Sequence, residues 1–306
     1  MLRKIYSLAV LGCLAIASNA QIEPSDSTIQ VVGYWSKGEK QNYSVTQNKI
    51  KLNKADTVSK ETMTFNVQVT ILDSTDKNYK IEWLYSNYKA TGNQQSNQLL
   101  AELISLYDNM KIIILTNEMG EFQSVENWKD IQTAMKQAVD VIKKKYKSQK
   151  DLLAIFDNVM TNFQTKEGIE AYAINDILQF YSYHGSKYKL GETLSGVTQI
   201  ATAISDKPID TKYELTLEEL NFEDNNGVLR LIQTQDETQL ADFTYAYLKK
   251  MMPKVPFKRN EMPKVSSVTE LASRIHNAGW VIYSVETKNI TAIDATTVEE
   301  RVIELQ

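Results

Sequence analysis

From Thr62 to Ser86 the chain alternates apolar and polar residues with a period of two. Phe65, Val67, Val69 and Ile71 fall on one side and Asn66, Gln68, Thr70 and Leu72 on the other. Asp73-Ser74-Thr75-Asp76-Lys77-Asn78 interrupts the pattern, and Tyr79, Ile81, Trp83 and Tyr85 then resume it opposite Lys80, Glu82, Leu84 and Ser86. Successive strand side chains point to opposite faces, so this is a hairpin with one apolar, aromatic face. Such a face has to be covered, and a chain built on it must bring helices or a second sheet against it.

The rest of the chain supplies both. Gln30–Trp35 and Lys40–Leu52 read as strands, and Lys111–Thr116 and Glu121–Val125 as two more around the turn Asn117-Glu118-Met119-Gly120. Helical spacing predicts a helix from Gln95 to Asp108. A second places Trp128, Ile131, Met135, Val139, Ile142 and Tyr146 on one face, with Asn127 as N-cap and Lys143–Lys145 at the C-terminal end of the dipole. Two further helices are expected around Leu152–Phe163 and Ile169–Tyr181. Strands return at Lys187–Glu192, Leu194–Ile204 and Tyr213–Leu220. The turn Asp224-Asn225-Asn226-Gly227, whose Asn-Gly pair suits type I′, leads into Val228–Thr234. A helix over Gln239–Met252 ends at Pro253 and Pro256, and Trp280–Ile293 and Thr297–Leu305 are closing strands. Ser266–His276 fits helix or strand.

Each half therefore runs strands, hairpin, helix, two strands, and each opens near a Gly-Glu pair, Gly38-Glu39 and Gly191-Glu192. The expected fold class is α+β: antiparallel curved sheets covered by helices, in two similar halves. The first unit spans residues 21–165 with a helical extension and the second 166–306, after a signal peptide over 1–20. That leader has basic Arg3 and Lys4, an apolar run from Ile5 to Ala17, and small residues at Ser18 and Ala20. Cleavage after Ala20 would release a periplasmic or secreted protein. Val10-Leu11-Gly12-Cys13 stands beside this as a lipobox, the lesser reading, which would make an outer-membrane lipoprotein through Cys13.

Several chemistries find no support in the residues. The sequence has 306 residues, a net charge of −4 and two histidines, His184 and His276. A mildly acidic chain has no electrostatic footprint for nucleic acid. No later apolar run is long enough for a transmembrane helix. Neither histidine has a partner at metal-ligand spacing, and no nucleophile elbow, phosphate loop or calcium loop occurs. The expectation is no metal, no cofactor and no catalytic residue. Carboxylate pairs such as Glu218-Glu219, Glu223-Asp224 and Glu299-Glu300 read as solvated faces, so a carboxylate-based glycan hydrolase is the least favoured function.

Tyrosine is abundant, at 16 residues, and the first sheet gathers much of it. A core packed by helices explains an aromatic sheet face. The functional alternative is a cavity between sheet and helices for an apolar ligand. Phe65, Val67, Trp83 and Tyr85 are the positions expected to line it. The stretches Gly33-Tyr34-Trp35-Ser36-Lys37-Gly38-Glu39, Lys189-Leu190-Gly191-Glu192-Thr193, Glu286-Thr287-Lys288 and Val302-Ile303-Glu304-Leu305 resemble secreted proteins of unknown function from Gram-negative bacteria. In architecture, a curved antiparallel sheet under helices is similar to periplasmic lipoprotein carriers of the LolA type. The aromatic sheet face and the poverty of catalytic side chains point to an exported, non-enzymatic protein that binds an apolar ligand or a lipidated partner. The alternative is a structural or interaction module that meets a protein partner in a cell-envelope assembly.

Overall fold

The computed structural model describes residues 22–92, 108–149, 163–202, 204–252 and 258–306, with Leu153, Phe156, Asp157, Met160 and Thr161. The leader with Cys13, all but the last residue of the helix expected over Gln95–Asp108, and much of that around Leu152–Phe163 lie outside the described residues. The strands are β1 (Ile22–Glu23), β2 (Thr28–Gln30), β3 (Lys40–Asn53), β4 (Asp56–Ser74), β5 (Asn78–Thr91), β6 (Lys111–Asn117) and β7 (Phe122–Val125). After them come the helices α1 (Trp128–Lys145), α2 (Lys166–Tyr172) and α3 (Asn175–Tyr181). The chain continues through β8 (Lys187–Lys189), β9 (Thr193–Thr202), β10 (Ser205–Asn221), β11 (Asn226–Gln235), α4 (Glu237–Met251), β12 (Val265–His276), β13 (Val281–Ala292) and β14 (Ala295–Leu305).

These elements correct the expected class. Strands hold 55% of the described residues and helices 21%, so the fold is mostly β rather than α+β. One antiparallel sheet of 11 strands, in the order β7-β6-β5-β4-β3-β14-β13-β12-β11-β10-β9, replaces separate covered sheets. A small sheet, β1-β2-β8, stands beside it. The physical reason is strand length. β4 runs for 19 residues and β10 for 17, through polar stretches that carry no alternation. The ambiguous Ser266–His276 segment is strand β12, and the expected helix over Ile169–Tyr181 divides into two helices of seven residues. The division at residue 165 falls between β7 and β8, and the large sheet crosses it through the β14–β3 pair.

Local chemistry accounts for several junctions. Asn127 starts α1, yet its side chain makes no capping bond. Its Oδ1 accepts from Ile113 N at 2.8 Å and its Nδ2 donates to Lys111 O at 2.9 Å, which ties the helix start to β6. The β10–β11 turn is a four-residue loop rather than a two-residue Asn-Gly turn. Asn221 Oδ1 accepts from Glu223 N and Asp224 N at 3.0 Å each, and Asn225 takes the left-handed conformation at φ 51°. Asn tolerates that region through its short polar side chain.

The large sheet is rolled. The turns β6–β7 and β12–β13 lie five or six strand positions apart, which in a flat sheet is roughly 25–30 Å. Adjacent residues of one segment reach both: Gly33 N donates to Met119 O at 3.2 Å and Tyr34 N to Ala278 O at 3.3 Å. Residues 31–35 therefore stitch the two turns together across one end of the sheet. Close approach there requires glycine. A Cβ on Gly33 would meet the Trp35 ring at 2.6 Å, and one on Gly120, at φ +84°, would meet Gly33 N at 3.0 Å. A Cβ on Gly279, at φ +81°, would enter the Val32 carbonyl oxygen.

Trp35 is buried beneath the stitch. Its ring centroid lies 5.2 Å from Tyr79, 5.2 Å from Trp280, 5.7 Å from His184 and 6.1 Å from Tyr181. Tyr79 OH donates to Gly33 O at 2.7 Å. His184 Nε2 lies 2.8 Å from Gly279 O, and a carbonyl only accepts, so the ring proton sits on Nε2. Burial pushes the His184 pKa down to about 4 from 6.5, against the Gly279 bond, which raises it. Phe180 then packs edge-on to Trp83 at 5.3 Å and to Tyr43 at 5.4 Å, which carries the aromatic core down the inner face.

Two predictions follow from this end of the molecule. Gly279→Ala combines overlap with Val32 and an unfavourable φ, so urea unfolding should show a loss of about 2–4 kcal/mol. His184 has a depressed folded pKa, so its contribution is present above pH 6.5 and is lost as pH falls towards 4. The full loss is on the order of 3 kcal/mol at 1.36 kcal/mol per unit. Stability measured across that window should fall in the native protein and flatten in His184→Phe.

Candidate functional site

The inner face can be followed row by row from strand register. Phe65, Val45, Ile303 and Ser284 lie opposite one another on β4, β3, β14 and β13 and are buried. Two residues along, the row becomes Met63, Gln47, Arg301 and Glu286; two further, Glu61, Lys49, Glu299 and Lys288. Period two keeps all three rows on one face. The face thus changes from apolar to charged within about 7 Å per step of two residues.

Helices cover the two ends of this face differently. α3 lies over the buried row, where Ile177 and Phe180 belong to the main core. α4 lies at the far end of the second half. Leu240 there joins Ile209 and Val265 in a small separate cluster, with Ile200, Phe243 and Ile290 packed around it. Between them an open groove of about 420 Å³ runs over the two charged rows, with Asn175 at the start of α3 on its wall.

A polar network joins α3 to the groove floor. Gln179 Nε2 donates to Ser284 Oγ at 2.9 Å, and Ser273 Oγ donates to Ser284 Oγ at 2.8 Å. Arg301 Nη1 donates to Glu286 Oε1 at 3.0 Å, Gln179 Oε1 at 3.2 Å and Asn175 O at 3.3 Å. Lys49 Nζ pairs with Glu299 Oε1 at 2.8 Å, a half-exposed cross-strand pair worth little by itself. Asp176, in the first turn of α3, is buried and accepts from Tyr85 OH at 2.9 Å. Burial raises its pKa, opposed by the Arg301 charge and by the Tyr85 bond.

The four sequence-predicted positions do come together. Phe65 and Val67 on β4 and Trp83 and Tyr85 on β5 share the inner face, with Val67 opposite Tyr85. Their side chains are enclosed by the protein's own core. Trp83 is fully buried against Phe180, and Phe65 stacks on Tyr88 at 4.6 Å. The groove walls hold none of the four; they begin at Met63, the next inward residue of β4. Arg301, Glu286, Lys288, Lys49 and Asp176 were not singled out from sequence. Their one signal was ionic residues in the middle of strands, where Glu299-Glu300 read as a solvated face.

The fold and groove define a protein built on one rolled, 11-stranded antiparallel sheet, with a small second sheet beside it and helices on its inner face. No protein-family model matches the sequence, and no curated protein matches it. A solved structure described as "lipid-protein interactions in lipovitellin" is similar over 89% of this chain, at 10% identity and a TM-score of 0.42. The chain spans 25% of that protein's length. A likeness this slight says nothing about what the chain binds. Among the described residues no helix is long and apolar enough to cross a membrane, and no three His, Cys, Asp or Glu side chains gather as metal ligands would.

Asp176 provides a test of this floor. Its folded pKa is raised above the unfolded 3.8, so the native state holds the proton more tightly. Stability should therefore fall as pH rises from about 4 through the folded pKa, then level off. Asp176→Asn keeps an acceptor for Tyr85 and removes the buried charge. Thermal unfolding should show the variant no less stable than the native protein at pH 7 and free of this slope.

Proposed function

We propose that this protein is a non-enzymatic carrier that holds an apolar chain between its rolled sheet and its helices, outside the cytoplasm. One observation carries the reading. The inner face is covered by two helical pieces with separate cores, and the stretch between them is an open groove rather than packed interior. The apolar part of a ligand would run from the groove beneath α4, in place of the contacts that Leu240 and Phe243 make with Ile209, Val265 and Ile290. That cluster is small, so displacing it costs far less than opening the aromatic core under α3. Binding without chemistry suits the side chains present. Asp176, the carboxylate that burial raises among the described residues, is occupied by Tyr85.

A second reading, an interaction module of the cell envelope, is favoured by the closure of the aromatic face. Phe65, Val67, Trp83 and Tyr85, the positions expected to line a cavity, are buried in the main hydrophobic core. Native mass spectrometry on gently purified protein, before and after organic extraction, separates the two. The carrier should show a stoichiometric excess mass that extraction removes and that an apolar probe restores. A clean mass with no uptake of probe would overturn it in favour of the module.

A further inference from the structure

The groove floor contains a guanidinium that the protein only half uses. All three bonds from Arg301 leave through Nη1, to Glu286, Gln179 and the Asn175 carbonyl. Nε is buried and has no partner among the described residues, and Nη2 makes no bond to them. The Nε–Nη2 edge is the fork that matches a carboxylate or phosphate with two parallel hydrogen bonds. Nη1 shares its two N–H groups among three acceptors and holds the guanidinium in one orientation, so the Nε–Nη2 edge is left unused by the described residues.

Much of the surrounding charge is already engaged within the protein. Glu286 is engaged by Arg301 Nη1 and Glu299 by Lys49. Glu300, on the opposite face by its parity, accepts from Asn48 Nδ2 at 2.9 Å. Of the ionic groups on the wall, Lys288, Glu61 and Glu300 have no ion pair among the described residues. An arriving anion thus meets the Arg301 edge and Lys288 against Glu61 and Glu300, the two wall carboxylates without an ion pair among the described residues. The side chain of Arg301 is only 16% exposed, where a charge-assisted bond is screened far less than at the surface.

We infer that the groove is a headgroup subsite, in which Arg301 grips the carboxylate or phosphate of an anionic amphiphile through its Nε–Nη2 edge and Lys288 adds a second positive charge. The inference rests on the carrier reading and names its ligand class: a chain with an anionic head, lying with its head on the charged rows and its tail towards α4.

Calorimetric titration with dodecanoate, dodecyl phosphate and uncharged dodecanol tests it. The native protein should bind both anions at least about tenfold more tightly than dodecanol. Arg301→Lys keeps the charge but loses the fork, and should bring the three affinities within about threefold. Lys288→Gln, which leaves the Arg301 network intact, should weaken both anions by about two- to fivefold at low salt and leave dodecanol unchanged. The tighter of the two anions identifies the head as carboxylate or phosphoryl. Equal affinities in the native protein, or an anion preference that survives Arg301→Lys, would overturn the subsite while dodecanol binding kept the carrier. Binding of none of the three would overturn both.

Discussion

The stitch made by residues 31–35 is the constraint on which the rest of this structure depends. Two backbone hydrogen bonds from neighbouring residues, Gly33 to Met119 and Tyr34 to Ala278, bring together turns that strand order alone would hold far apart. Each bond is worth only about 1 kcal/mol net. What fixes the stitch is the packing around it, where Gly33, Gly120 and Gly279 let backbones touch and Trp35 fills the space below among Tyr79, Trp280 and His184. A sheet gathered in this way at one end must curl, and its inner face becomes a concave surface with a sealed end.

The inner face is not uniform, and this separates it from an ordinary core. Beneath α1, α2 and α3 it is apolar and closed. One row further on, alternate residues of four adjacent strands become Met63, Gln47, Arg301 and Glu286, then four charges of alternating sign. Burying such groups is costly unless they are paired, so a fold that needed only stability would place apolar residues there and close the helices over them. Instead α3 begins only at Asn175, α4 packs on a separate patch, and the charged rows line a groove. The network of Gln179, Ser284, Ser273 and Arg301 ties α3 to the groove floor without any contribution from α4.

Much of the local structure was legible from period alone. The β4–β5 hairpin, α1, α4 and the closing strands stand where alternation or helical spacing put them. The fold class was not. A strand solvated on one side and lining a polar groove on the other, as β14 is around Glu299-Glu300-Arg301, has no apolar face to count. Its acids read as a solvated surface, and the polar extensions of β4 and β10, which carry no alternation, are not counted as strand, so strand is underweighted. The site was missed for a related reason. Pairing of β14 with β3 joins residues about 250 apart, and only that register places Arg301 beside Gln47 and Glu299 beside Lys49. Conversely, the aromatic positions Phe65, Trp83 and Tyr85 were correctly seen to share a face. Periodicity identifies which face is turned inward but not whether a helix or a cavity meets it, and here Phe180 occupies the space against Trp83.

Whether the inner face between α3 and α4 receives an apolar chain can be read directly by photo-crosslinking. A dodecyl probe carrying a diazirine along its chain would be activated on the native protein and the adducts mapped by peptide mass spectrometry. Adducts concentrated on Met63, Ile290 and the inward residues of α4 would place the chain where the groove leads beneath that helix. Adducts confined to the outer face of the sheet or to the exposed edge strand β9, with none on these positions, would contradict a ligand held between sheet and helices.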